Sequence, residues 1–181
     1  MKKRVLLLLI LAVVFTGKMS AQKGMNGIGI SVPMGHLSER DHNGKSFAGG
    51  WYAGVGVKYY YNLTNHFRIE PSMEFSWASP SYSFKGMLNL NLFVYPPSRV
   101  RPYLIVGAGW IIESLEYSTF TKEYKGEDSQ YSFGLNYGLG FDCRLSHTWS
   151  MQLEAAYARL TDAWVNNSNA FIARWGLTYN F

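Results

Sequence analysis

The last eight residues of the chain, Arg174–Phe181, read RWGLTYNF. Every second residue in this stretch is aromatic or aliphatic: Trp175, Leu177, Tyr179 and Phe181. The residues between them are charged, small or polar. Because side chains of a β-strand alternate between its two faces, the stretch predicts a strand with one apolar and one polar face.

The same period of two continues through the chain from Met25 onward, and eight segments can be traced. They lie near residues 26–34, 51–61, 67–77, 88–95, 103–112, 131–144, 149–158 and 173–181. Tight connections at 62–66, 96–101 and 146–147 alternate with longer ones near 35–50, 78–85, 113–129 and 161–169. An even number of strands with short turns at one end and long loops at the other is typical of transmembrane β-barrels. The pattern predicts an all-β protein, an eight-stranded antiparallel up-and-down transmembrane β-barrel.

The apolar faces of the eight segments decide which side points inward. They carry so many Trp, Phe, Tyr and Leu side chains that they could not fit inside an eight-stranded barrel, whose interior is only just wide enough for side chains to fill. The glycine-rich polar faces fit that space. We therefore expect the apolar faces to meet lipid, and a closed barrel leaves no unpaired strand edge there.

Charged residues on the polar faces predict an ionic interior. Eight of them share the inward parity: Lys58, Arg68, Arg144 and Arg174, with Glu70, Glu74, Asp142 and Glu154. Four positive and four negative charges sum to zero. Because an unpaired charge inside a narrow barrel would be very costly, we expect these residues to form an interior charge network that plugs the lumen. We expect no catalytic residue, metal or cofactor among them.

The N-terminal residues carry the pattern of a cleavable signal peptide. A basic segment, Lys2–Arg4, precedes an apolar run over residues 5–15, and small residues lead to Ala21. An apolar run of this length is too short to span a bilayer as a helix. We expect residues 1–21 to be removed after export through the Sec pathway, leaving one barrel domain over residues 22–181.

The charge of the chain depends on that segment. The formal charge of +5 falls to +1 without Lys2, Lys3, Arg4 and Lys18. The basic composition therefore predicts no binding to nucleic acid. The single cysteine, Cys143, excludes a disulfide within the chain.

The chain resembles the small bacterial outer-membrane β-barrel family, the OmpA/OmpX-like and opacity-type group, in the style of its Bacteroidetes members. The resemblance rests on residues 101–109 and 137–141 and on the final strand. There Arg174, Gly176, Tyr179 and Phe181 are similar to the C-terminal signal that outer-membrane assembly machinery recognises. The resemblance implies a monomer in the bacterial outer membrane, surrounded by outer-membrane lipids and lipopolysaccharide.

Three functions are compatible with this pattern. The first is a non-enzymatic surface barrel that supports envelope integrity or contacts external partners through its long loops. The loop near Glu113–Ser129 mixes aromatic and charged residues, as contact surfaces do. The second is a small porin, although an aqueous channel needs about twice as many strands. The third is a lipid A-modifying enzyme.

The enzyme hypothesis rests on one polar cluster in the first long connection. It contains His36, Ser38, Glu39, Asp41 and His42. Such residue types could serve nucleophilic catalysis or bind a metal ion. Their spacing matches no known motif, and we expect the chain not to be an enzyme.

Overall fold

A computed structural model describes residues 24–40, 46–78, 81–95, 98–115, 128–161 and 167–181. These residues form eight antiparallel strands that close into one barrel in chain order. The strands are β1 (Asn26–Arg40), β2 (Ser46–Asn62), β3 (Phe67–Ala78), β4 (Ser81–Phe93), β5 (Val100–Leu115), β6 (Asp128–Arg144), β7 (Trp149–Thr161) and β8 (Asn167–Asn180). The described part of the chain holds no helix long and apolar enough to cross a bilayer. The predicted fold class is confirmed, whereas the predicted signal peptide lies outside the described residues.

The barrel closes where its first and last strands meet. β1 pairs with β8 from Gly27 opposite Asn180 to Ser38 opposite Asn169. At the end of this seam the backbone of Phe181 bonds that of Asn26 in both directions, at N···O distances of 3.1 and 2.9 Å. Closure therefore gives hydrogen-bond partners to backbone groups that hydrocarbon could not satisfy.

Three short connections lie at one end of the barrel, together with the start of β1 and the end of β8. We call this the short-turn end. Residues 63–66, 94–99 and 145–148 connect the strands there. A hydroxyl oxygen supports each turn by accepting backbone N–H bonds. Thr64 accepts from His66 and Phe67 at 3.1 and 3.0 Å, Ser98 accepts from Val100 at 3.1 Å, and Ser146 accepts from Thr148 and Trp149 at 3.2 and 3.0 Å. Local side-chain bonds of this kind favour turns over continued strands.

The opposite, long-loop end differs from the prediction. The strands there extend further than the sequence pattern indicated, with β1 continuing to Arg40 and β4 beginning at Ser81. Only residues 79 and 80 separate β3 from β4, so the predicted longer connection near 78–85 is wrong. The cause is that Tyr82 and Phe84 keep the outward period of two through a stretch rich in serine. At the short-turn end β5 likewise begins earlier than predicted, at Val100.

The two faces of the strands separate as predicted. Outward side chains such as Trp51 and Val106 are 75% and 63% exposed, whereas the inward Tyr60 and Tyr103 are 1% exposed. Inward glycines make room for these large rings. A Cβ atom on Gly140 would lie 2.5 Å from Cζ of Tyr103, so this ring requires glycine beneath it.

Candidate functional site in the barrel interior

Near the short-turn end, one carboxylate holds two guanidinium groups. Oδ2 of Asp142 on β6 accepts from Nη2 of Arg68 on β3 at 2.8 Å and from Nη2 of Arg101 on β5 at 2.7 Å. All three side chains are buried. Aromatic rings cover both cations: Cζ of Arg68 lies 3.9 Å from the ring centroid of Tyr60, and Cζ of Arg101 lies 4.8 Å from that of Phe93. We call Arg68, Arg101 and Asp142 the turn-side cluster.

The middle of the barrel holds a second set, the central cluster: Lys58, Glu70, Glu74, Glu154 and Arg174. Nζ of Lys58 lies 3.3 Å from Oε1 of Glu154 and 3.7 Å from Oε1 of Glu70. Nε of Arg174 donates to Oε1 of Glu74 at 2.5 Å, and its Nη1 lies 3.6 Å from Oε2 of Glu154. Every member is buried.

Neutral polar groups donate further hydrogen bonds to two of these carboxylates. The hydroxyl of Tyr103 donates to Oε1 of Glu154 at 2.7 Å. Nδ2 of Asn91 donates to Oε2 of Glu70 at 3.2 Å. Hydrogen bonds of this kind offset part of the cost of burying ionised groups.

Three of the six ion pairs among the described residues join strands that are not neighbours in the sheet, and the other three join adjacent strands. Lys58 and Glu154 connect β2 to β7, Arg174 and Glu74 connect β8 to β3, and Arg68 and Asp142 connect β3 to β6. Since each of these three pairs involves two strands separated by others in the closed order, the side chains meet across the lumen. The interior of the described barrel is therefore bridged by side chains at two levels.

Seven of the eight residues proposed from the sequence for the interior network lie in these two clusters. Arg144 differs: it is half-buried at the last position of β6 and belongs to none of the ion pairs described above. Arg101 stands in its place on Asp142. The two clusters together carry Lys58, Arg68, Arg101 and Arg174 against Glu70, Glu74, Asp142 and Glu154, and four positive and four negative charges again sum to zero.

Sequence reasoning missed Arg101 and Lys85 as interior residues. Both were assigned to connections, but the longer β4 and β5 place them inside the barrel. There Lys85 is 7% exposed and Arg101 is 3% exposed. Nζ of Lys85 lies 4.2 Å from the ring centroid of Tyr52 on β2. The inward parity of Arg101 relative to Tyr103 was the signal that could have identified it.

Toward the long-loop end the interior also holds apolar side chains. Tyr52, Ala158, Ala170 and Ile172 form one buried hydrophobic cluster there. Phe93, Tyr103 and Ile105 form another beside the turn-side cluster. Apolar groups on both sides of the ion pairs keep water away from them and so strengthen their mutual attraction.

The polar cluster considered for catalysis does not assemble in the described residues. His36 lies on the outer face of β1, where its ring packs edge-on against Trp51 with centroids 5.3 Å apart. Ser38 has the same outward parity. Asp41, His42 and the side chain of Glu39 lie outside the described part of the structure. Within that part, no group of three or more His, Cys, Asp or Glu side chains could hold a metal ion.

The four residues of the proposed assembly signal lie on both faces of β8. Arg174 and Gly176 point inward, and a Cβ atom on Gly176 would lie 3.4 Å from Cε of Lys58. Tyr179 and Phe181 point outward with 42% and 62% exposure. The ring of Tyr179 lies 5.3 Å from that of Trp149, so the strand ends in an aromatic surface at the short-turn end.

Comparison with known proteins extends this description. A family model for the outer membrane protein beta-barrel domain matches residues 6–181. The fold is similar to Neisserial surface protein A, with 16% identity and a TM-score of 0.62 over 88% of this chain and 100% of that one. It is also similar to Ail, the attachment invasion locus protein of Yersinia pestis, with 15% identity and a TM-score of 0.55 over 88% and 99% of the two chains. The fold is similar to OprG from Pseudomonas aeruginosa as well, with 14% identity and a TM-score of 0.51 over 90% of this chain and 98% of that one. No curated protein sequence matched the chain.

Proposed function

The chain belongs to the outer membrane protein β-barrel domain family, and we propose that it is a non-enzymatic barrel whose lumen is plugged and whose long-loop end faces outward. Membership confirms the resemblance seen in the sequence and places the protein in the bacterial outer membrane. The Bacteroidetes origin stays a prediction. The structural relatives share less than a fifth of their residues with this chain, so they support the fold alone.

One observation carries the proposal that the lumen is plugged. Lys58 and Glu154, and Arg174 and Glu74, meet across the lumen from strands that are not adjacent. Each of these side chains is at most 5% exposed. An ion passing along the axis would have to separate these pairs, which is costly because each separated charge would remain buried. The arrangement therefore favours a structural barrel over a small porin.

Planar-bilayer recording tests the plug directly. We expect the folded wild-type monomer to give no steady conductance step. A charge-neutral variant, Lys58→Gly with Glu154→Gly, removes one pair that bridges the lumen and should allow ion leakage. Arg99→Gly, an exposed position at the short-turn end, serves as the control and should behave as the wild type. A reproducible step from the wild-type monomer would refute the plugged lumen.

The long loops are the parts that we propose to act outside the cell. Residues 116–127 lie outside the described residues, between β5 and β6, whose paired ends run from Val100 opposite Cys143 to Leu115 opposite Asp128. This long hairpin gives the loop a firm base, because β5 and β6 stay paired with each other up to the residues that flank the loop. Replacing residues 116–127 with a short Gly-Ser loop should leave the barrel folded.

A genetic comparison distinguishes a role in envelope integrity from a role in contact with external partners. Cells carrying the loop replacement should keep resistance to detergents and large antibiotics if the barrel serves envelope integrity, whereas cells lacking the whole protein should lose it. A contact role predicts that the loop replacement alone abolishes adherence to the partner surface. If neither strain differs from its parent in either assay, both outward roles are excluded.

We also propose that the protein is exported by the Sec pathway and assembled through its last strand. Tyr179 and Phe181 at the end of the chain form an exposed aromatic surface with Trp149 of β7 at the short-turn end. We propose that the assembly machinery recognises the alternation of apolar and polar residues in this last strand before the barrel closes. We propose that the assembled protein is a monomer, since within the described residues every strand is already paired on both sides.

A further inference from the structure

A single cation lies on the outward face of β7 near the long-loop end. Arg159 is exposed and continues the outward series of Leu153 and Tyr157. Within the described residues its guanidinium takes part in no ion pair or hydrogen bond. A charge on the lipid-facing surface is costly at the bilayer midplane and nearly free at the interface, so the height of Arg159 matters.

The length of β7 gives that height. Arg159 lies ten positions after Trp149, which begins β7 at the short-turn end. At a rise of about 3.3 Å per residue and a tilt of about 40°, ten residues climb roughly 25 Å along the bilayer normal, which is the height of the apolar band of such barrels. Trp149 suits one interface as a girdle residue. Arg159 therefore lies at the other interface.

Two hydrogen-bonding side chains lie beside this cation. Asn169 on β8 is directly opposite Arg159, and Ser38 on β1 is directly opposite Asn169. All three share the outward parity. Cβ atoms of such neighbours lie about 5 Å apart, so the three side chains cover a row of roughly 10 Å. We call Ser38, Asn169 and Arg159 the outer polar row; it offers a hydroxyl, an amide and a guanidinium.

The next outward row toward the membrane is aromatic. His36, Phe171 and Tyr157 lie opposite one another on β1, β8 and β7, and Trp51 packs beside His36. Phe171 is 53% exposed. The surface thus changes from aromatic to polar and cationic within one step along three adjacent strands. A ligand that fits it has an anionic head above an apolar body.

We propose that the outer polar row binds the phosphate of a phosphorylated glycolipid in the outer leaflet, with the aromatic row against its sugar and acyl chains. Guanidinium groups bind phosphate through paired, charge-assisted hydrogen bonds, and the amide and hydroxyl add neutral ones. Lipid is the occupant because the row lies at the interface, where a head group is always near. The inference rests on the proposed function in one respect, that the long-loop end faces the outer leaflet.

The test compares lipids that differ only in phosphate. The folded barrel is placed in phosphatidylcholine vesicles containing either bis-phosphorylated lipid A or its dephosphorylated form, and retained glycolipid is counted by native mass spectrometry. The phosphorylated form should be retained preferentially. Arg159→Gln should reduce retention by about fivefold, the effect of one partly exposed charge-assisted contact. Asn169→Ala should reduce it less, and Arg99→Gln, the same charge change at the opposite end, should not.

Three results would overturn the proposal. One is equal retention of both lipid A forms, and another is an equal loss in Arg159→Gln and Arg99→Gln. The third is displacement of lipid A by inorganic phosphate at millimolar concentration, which would mean a site for free anions. All three variants should keep the gel mobility of the folded barrel, so that loss of binding is not loss of fold. Conductance of the wild type would refute the plugged lumen without changing these lipid measurements.

Discussion

Asp142→Asn gives the sharpest test of the turn-side cluster. The carboxylate is fully buried and accepts from Arg68 at 2.8 Å and from Arg101 at 2.7 Å. Asparagine keeps the shape of the side chain but removes its charge. The two guanidinium groups would then face each other in the lumen without a counter-charge, and neither can lose its proton. We expect the barrel to be strongly destabilised.

The size of the effect follows from the burial of the cluster. Removing one partner of a buried ion pair costs about 3–5 kcal/mol of unfolding free energy, because the remaining charge stays buried and uncompensated. With a denaturant slope of about 2 kcal/mol per molar urea, the unfolding midpoint should fall by roughly 2 M. Arg99→Gln, which changes an exposed cation, should leave the midpoint within about 0.3 M of the wild type.

The assay is the gel mobility of unheated samples after incubation in urea, since a folded barrel migrates differently from the unfolded chain. A second variant makes the reasoning specific: Arg101→Gln added to Asp142→Asn removes one of the two stranded cations. The double variant should be less destabilised than the sum of the single ones, because the partners share one network. Additive losses, or a midpoint for Asp142→Asn equal to that of the wild type, would refute the account.

Three further predictions follow from the fold. Gly140→Ala should displace the ring of Tyr103 and lower the unfolding free energy by about 1–3 kcal/mol in the same urea assay; an unchanged midpoint would contradict the close packing. In lipid vesicles, Leu139→Arg on the outward face should lower the unfolding free energy by about 2–4 kcal/mol, whereas Tyr131→Arg at the long-loop end should lower it by about 0–1 kcal/mol. Equal losses of stability would argue against the lipid-facing assignment. Phe181→Ser keeps the backbone hydrogen bonds to Asn26, so the purified protein should still fold in detergent. Pulse-labelled cells should nevertheless show less folded barrel in the outer membrane. Normal assembly in cells would exclude the C-terminal signal.

The alternation of side chains made most of the architecture predictable from the sequence. A period of two is a local property, so it assigns each residue of a strand to one of two faces without knowledge of the neighbouring strands. Trp51 and Trp175 were correctly placed outside, and Lys58 and Glu154 inside. The number of strands and their antiparallel order followed from the same pattern and from the short turns.

The partners of the interior charges were decided by the tertiary structure alone. Parity placed Arg144 inward as firmly as Asp142, but the stagger of the strands brings Arg101 to Asp142 and leaves Arg144 at the end of β6. Likewise, the extension of β4 carries Lys85 to Tyr52, and the closure of β1 on β8 brings Ser38 beside Asn169. Stagger and closure depend on hydrogen bonds between distant segments, and for that reason a local pattern shows which face a side chain occupies but not what it meets there.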